Sequence, residues 1–244
     1  MRIFIHKTCP TSQKILEILR DLGVLGMAEI IDVENEPLYL ISLGFVHVPA
    51  ILVDNQIFDY GPIKFDEFEK SIIDYRLKIE EIPKKLSRDD LINILYEDIL
   101  DNLFLSLSVF LREKVSIVLK YKPTMTKITR HIDKQDLNNF IKYVENNDYD
   151  LYKEIEEKLI KYIAFSFIRE LFWIHNRKIS IENFDRLYPL PVFVHWVLAR
   201  SSISRVGLIC DITKNHKIRN KIFLIRQIIQ EKWERYWEKI LGSS

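Results

Sequence analysis

Met1-Arg2-Ile3-Phe4-Ile5-His6-Lys7-Thr8-Cys9-Pro10-Thr11-Ser12 opens the chain, and the reading of this stretch decides the fold. Arg2–His6 alternates polar and apolar side chains, the period-2 pattern of a strand with one buried face. Pro10 has no N–H to lose and its φ is preset, so it suits the first position of a helix. Ile15, Leu16, Ile18, Leu19 and Leu22 then recur at helical spacing, and Gly23 is a stop signal. A strand therefore runs almost directly into a helix, with Cys9 at the junction.

Working outward, the same alternation of elements continues to about residue 80. Ala28–Val33 is a second short apolar run. Pro37–Leu43 predicts a short helix ending at Gly44. Ala50–Val53 and Gln56–Asp59 flank Asp54-Asn55, a hairpin turn signal. Phe65, Phe68, Ile72 and Ile73 give a third helical stripe, so the expected order is β-α-β-α-β-β-α. After Pro83 the strand signals thin out. Ser87-Arg88-Asp89-Asp90 offers a helix cap ahead of Leu91, Ile94, Leu95, Ile99 and Leu103. Helices are expected at about 103–121, 133–147, 149–175, 191–210 and 215–240, punctuated by Pro123, Asn146-Asn147, Pro189 and Pro191. The chain thus reads as an α/β domain over residues 1–82 followed by a larger all-helical domain over residues 83–241.

Composition narrows the function classes. The 244 residues are 48% hydrophobic and 12% aromatic, enough for sizeable cores and incompatible with a disordered chain. Lys and Arg total 36 against 35 Asp and Glu, a net charge of +1 that argues against a nucleic-acid coat or a polybasic membrane binder. The balance is uneven: residues 1–83 carry net −6 and residues 200–244 net +6, so head and tail could attract each other or bind different partners. The six glycines are not spaced for a P-loop or a G-x-G-x-x-G turn. The greasiest runs, Leu103–Leu111 and Tyr162–Ile174, are too short or carry Arg169 and Glu170, so no membrane span is expected. With a strand-like run at the start no signal peptide is expected, and two distant cysteines, Cys9 and Cys210, suit a reducing compartment; a cytoplasmic protein is expected. No metal site is expected from two cysteines and six scattered histidines.

The residue with most chemistry is Cys9. A thiol at a helix N-terminus faces unpaired backbone N–H groups and the positive end of the macrodipole, and both favour the nucleophilic thiolate. Ser12, one turn along, could donate a hydrogen bond to the sulfur. His6 and His47 flank the same region. Cys210 lies in an apolar run and reads as a packed thiol. Trp233 and Trp237, four apart, read as a core stripe of the last helix. The basic run Lys214–Lys221 reads as a solvated helix start.

Taken together, the β-α-β-α-β-β-α order, Cys9-Pro10-x-Ser12 after the first strand and Val48-Pro49 before the hairpin resemble the thioredoxin-fold superfamily, nearest to glutaredoxins and the N-terminal domain of glutathione S-transferases. The two-domain arrangement is also similar to that of the transferases. The resemblance covers roughly residues 1–80. It implies that Cys9 is the reactive thiol, that Pro49 is a cis-proline and that the Val48 backbone pairs with a peptide-like or glutathione-like ligand. Ser12 stands where dithiol members carry a second cysteine, as in monothiol branches. Lys7 and Pro10 beside the thiol, with Asp59 and Tyr60 after the hairpin at about the place of the transferases' ligand-binding pair, are the further candidates for substrate contact. The expected function is a monothiol glutaredoxin-like or glutathione-transferase-like thiol-disulfide or thiol-transfer activity, with Cys9 and Ser12 as catalytic residues. Its substrate would be a thiol or disulfide, with glutathione or another low-molecular-weight thiol as co-substrate. The competing expectation is a non-catalytic thioredoxin-fold module that holds a protein partner.

Overall fold

The computed structural model describes residues 1–7, 9–45, 48–53, 56–60, 63, 65–73, 86–129, 131–201 and 215–242. They fall into two compact units. One comprises Met1–Leu95 with Leu119–Phe140, the other Tyr96–Val118 with Ile141–Ser244. The boundary expected at Pro83 lies outside the described residues.

The first unit is built on a four-stranded mixed sheet of β1 (Arg2–Ile5), β2 (Glu29–Asp32), β3 (Ala50–Val53) and β4 (Gln56–Tyr60), in the order β2-β1-β3-β4. β1 runs parallel to β2, with Ile3 opposite Ile30, and antiparallel to β3, with Ile3 opposite Ile51. β3 and β4 pair antiparallel with a register irregularity between Ile51 and Leu52. The parallel β1–β2 pair needs a crossover, which α1 (Pro10–Asp21) supplies.

Strand alternation sorts the side chains onto two faces. Ile3, Ile5 and Ile51 pack with Ile15, Ile18 and Leu19 of α1 and with Phe68 and Ile72 of α3 (Phe65–Ile73). Phe4, Ala50 and Leu52 point the other way and pack with Ile31, Phe45 and Leu40 of α2 (Pro37–Ser42). Phe4 meets Tyr39 edge-on at 5.3 Å. Gly23 and Gly44 take φ of 69° and 89°, left-handed conformations that close the turns after α1 and α2.

The other α-helices among the described residues are α4 (Arg88–Asp101), α5 (Leu103–Arg112), α6 (Lys122–Thr129), α7 (Lys134–Asn146), α8 (Asp148–His175), α9 (Ile181–Leu187), α10 (Leu190–Arg200), α11 (His216–Glu231) and α12 (Trp233–Leu241). Ser87 and Asp90 form a reciprocal box at the start of α4: Asp90 N–H donates to the Ser87 hydroxyl at 3.2 Å, and Ser87 N–H to the Asp90 carboxylate at 3.1 Å.

In the second unit α8 is the central helix, packed by α5, α11 and α12. Ile155, Leu159, Ile163, Phe167 and Leu171 line its buried side. Phe167 collects aromatic partners, with ring centroids 5.7 Å from Phe184, 5.1 Å from Phe193 and 4.8 Å from Trp196. Trp233 and Trp237 are buried 5.9 Å apart, as the stripe predicts.

Several helix limits differ from the periodicity. The stretch 103–121 does not form one helix: α5 ends because Glu113 turns left-handed, with φ 55°, and a 3₁₀ turn follows at Ser116–Lys120. Pro123 does not stop a helix; it stands in the first turn of α6, where no N–H is needed. The expected last helix breaks at Lys232 into α11 and α12. α9, capped by Ser180, has too short an apolar pattern to be read from sequence.

Candidate functional site

Cys9 is the N-cap of α1, with extended φ and ψ of −85° and 114°, and Pro10 follows inside the first turn. The Cys9 carbonyl accepts the Gln13 N–H at 3.0 Å, the first bond of the helix, while its own N–H donates back to the His6 carbonyl at 2.9 Å. This tight turn lifts the residue from the end of β1 to the mouth of α1. The thiol is half-buried and free of any disulfide.

The fold brings Val48 to it. The Cys9 thiol lies 3.8 Å from the Val48 carbonyl oxygen, across a sequence gap of 39 residues, and the Val48–Pro49 bond is cis, as the resemblance implies. Val48 is half-buried and Pro49 buried. The proximity follows from the strand order: β1 and β3 are neighbours, so the residues leaving β1 and those entering β3 meet at one end of the sheet.

Ser12 behaves differently from the expectation. It is wholly buried, and its hydroxyl accepts the His6 backbone N–H at 3.4 Å; among the described residues the expected hydrogen bond from Ser12 to the sulfur is not formed. The buried hydroxyl thus meets the backbone at the end of β1 instead of the sulfur.

Lys7 is also engaged within the fold. Its ammonium lies 2.7 Å from Glu34 and 3.9 Å from Asp32, at the end of β2. The Glu34 hydrogen bond, reinforced by the charges of Glu34 and Asp32, holds the Lys7 ammonium above the ordinary lysine range. The Lys7 carbonyl accepts the Gln13 side-chain amide at 2.9 Å. Asp59 and Tyr60 belong to β4, in register with Ile51 and Ala50 of β3. His47 and Cys210 lie outside the described residues.

At the other end of β1, a shallow open depression is lined by Met1, Arg2, Met27, Glu29 and Leu52. It lies away from the thiol because β1 runs from Arg2 to Ile5 before reaching the Cys9 turn. Among the described residues no group of three or more His, Cys, Asp or Glu could hold a metal ion, and no helix is long and apolar enough to cross a membrane.

Chemically, the cluster offers one half-buried sulfur at a helix N-terminus, with the Val48 carbonyl and Pro49 beside it. Comparison with protein-family models, with curated proteins and with solved structures finds no match to this chain.

Proposed function

We propose that residues 1–73 form a thioredoxin-like domain and that Cys9 is the single reacting thiol of a thiol-disulfide exchange or thiol-transfer reaction. What supports the fold reading is the strand order β2-β1-β3-β4 with β3 antiparallel to the other strands and helices on both faces. The observation that carries the chemistry is the 3.8 Å approach of the Cys9 thiol to the Val48 carbonyl, beside cis-Pro49 and at the mouth of α1.

In the proposed reaction the Cys9 thiolate attacks one sulfur of a substrate disulfide. The substrate S–S bond breaks as a mixed disulfide with Cys9 forms, and the departing thiolate takes a proton from water. A low-molecular-weight thiolate then attacks the substrate sulfur of the mixed disulfide; the bond to Cys9 breaks, the free Cys9 thiolate leaves, and the substrate departs as a disulfide with the small thiol. The unpaired N–H groups of the first turn of α1 stabilise the negative sulfur. The Val48 backbone aligns an extended substrate as an added strand. Ser12 in place of a second cysteine precludes an internal Cys-x-x-Cys disulfide, so the external thiol is required for turnover.

The test is reduction of hydroxyethyl disulfide with glutathione as donor. Wild type and Cys210→Ser should turn over, and Cys9→Ser should fall to the uncatalysed background. Equal turnover by Cys9→Ser, or none above background by wild type, overturns the reading in favour of a protein-binding module.

A further inference from the structure

Lys7 stands two residues before Cys9 and is held at both ends. Its ammonium is gripped by Glu34 at 2.7 Å and approached by Asp32 at 3.9 Å, and its carbonyl accepts the Gln13 side-chain amide at 2.9 Å. Around it, His6 N–H rests on the Ser12 hydroxyl, and Cys9 N–H closes on the His6 carbonyl. Asp32 is fixed in its turn as well: its carboxylate accepts the Glu34 N–H at 3.0 Å and its carbonyl the Asn35 N–H at 3.0 Å. The turn that carries the thiol is therefore tied to α1 on one side and to the end of β2 on the other.

We propose that Lys7 is a positioning residue for Cys9: the Glu34–Lys7–Gln13 chain fixes the turn that presents the sulfur, and Lys7 does not serve as a cation for an anionic substrate. This rests on the reading of Cys9 as the reacting thiol. It reassigns Lys7 from the substrate-contact role that its place beside the cysteine suggests. The carboxylates that would be displaced to free the ammonium are already in the fold, so an anionic ligand has to compete with Glu34 and Asp32 at short range. The site accordingly suits neutral disulfides and thiols at least as well as anionic ones.

The experiment uses the full chain carrying Cys210→Ser, so that Cys9 is the one thiol present. Its alkylation is followed with two reagents of nearly equal size, neutral iodoacetamide and anionic iodoacetate. In both, the thiolate sulfur forms a bond to carbon and iodide leaves. The Lys7–Glu34 pair is solvent-accessible, so its influence is modest: Lys7→Met and Glu34→Gln should each slow iodoacetamide by a factor of about two to five. Lys7→Arg should restore the rate, and the charge-swapped Lys7→Glu/Glu34→Lys double variant should recover most of it. Circular dichroism of each variant identifies loss of fold, and the Arg and charge-swapped forms keep the idea testable if Lys7→Met unfolds.

The proposal is overturned if Lys7→Met leaves iodoacetamide unchanged, whether or not iodoacetate slows. It is equally overturned if Glu34→Gln selectively speeds iodoacetate, because Lys7 would then be a cation released to act on the reagent. Failure of the Cys9 reading itself is separately visible, as the absence of thiol-dependent turnover by the chain with Lys7 intact.

Discussion

Glu113 supports the second unit in two opposed ways, and substituting it separates them. Its carboxylate takes Lys217 at 2.5 Å and Lys221 at 3.1 Å, while its backbone sits at φ 55° at the end of α5. Lys221 is 8% exposed. Its ammonium spends its remaining donors on the Phe110 carbonyl at 2.6 Å and the Tyr152 hydroxyl at 2.7 Å, between the faces of those two rings. Glu113→Ala removes the carboxylate bonded to that buried cation and leaves it only the more indirect charge of Glu156. Such a loss costs about 3–5 kcal/mol in a dry interior; the slight exposure of both partners points to the lower end, about 3 kcal/mol. Glu113→Gly loses the same ion pair but relaxes the left-handed backbone, worth about 1 kcal/mol, so it should be destabilised by only about 2 kcal/mol.

The pH dependence has a definite sign. Burial pushes the Glu113 carboxyl up, but the Lys217 and Lys221 hydrogen bonds and charges outweigh it, and the group titrates below the ordinary carboxylate range. Its stabilising contribution is therefore present above the unfolded-state value and disappears as the pH falls through the lower folded-state value. Urea unfolding monitored by tryptophan fluorescence at neutral pH, and repeated down to the acid limb, measures both effects. The four tryptophans all lie in the second unit, so the probe reports on it. The reasoning is refuted if Glu113→Ala costs under about 1 kcal/mol, or if Gly is no better than Ala.

Phe167→Ala removes the ring at the centre of the α8 aromatic cluster, buried to 1% exposure, and should lower stability by about 3–5 kcal/mol in the same urea assay. Gly23→Ala puts a Cβ on a residue at φ 69° with no atom within 4 Å, so the loss should be purely conformational, about 1 kcal/mol, with Gly23→Asn less damaging. Ser87→Ala removes the hydroxyl that accepts the Asp90 N–H and donates to the Asp90 carboxylate, leaves the Ser87 N–H on that carboxylate, and should cost about 1 kcal/mol, measurable as faster amide exchange in the first turn of α4.

The order of elements in residues 1–73 was legible because each signal is local. Alternation in Arg2–His6, the 3.6 spacing from Ile15 to Leu22, Pro10 at a helix start and glycines at the left-handed positions 23 and 44 all act within a few residues of where they stand. The Ser87–Asp90 box and the buried Trp233–Trp237 pair are local in the same sense. Placing Cys9 at a helix N-cap needed nothing more.

What the chain does with polar groups was decided by tertiary structure. Lys7 meets Glu34 because β1 lies beside β2, Cys9 meets Val48 because β1 also lies beside β3, and a strand pattern carries no record of its neighbours. Ser12 carries the hydroxyl of a sulfur donor, yet it lies wholly buried against the His6 N–H, since a buried hydroxyl takes its partner from whatever backbone packs around it. Glu113 ends α5 in a conformation ordinarily left to glycine, and Lys221 reaches Phe110 across 111 residues; neither shows in a helical periodicity. Local sequence sets backbone period and caps, which are short-range preferences. The pairing of charges and the approach of a thiol to a distant carbonyl depend on which elements pack together, and that is settled by burial over the whole unit.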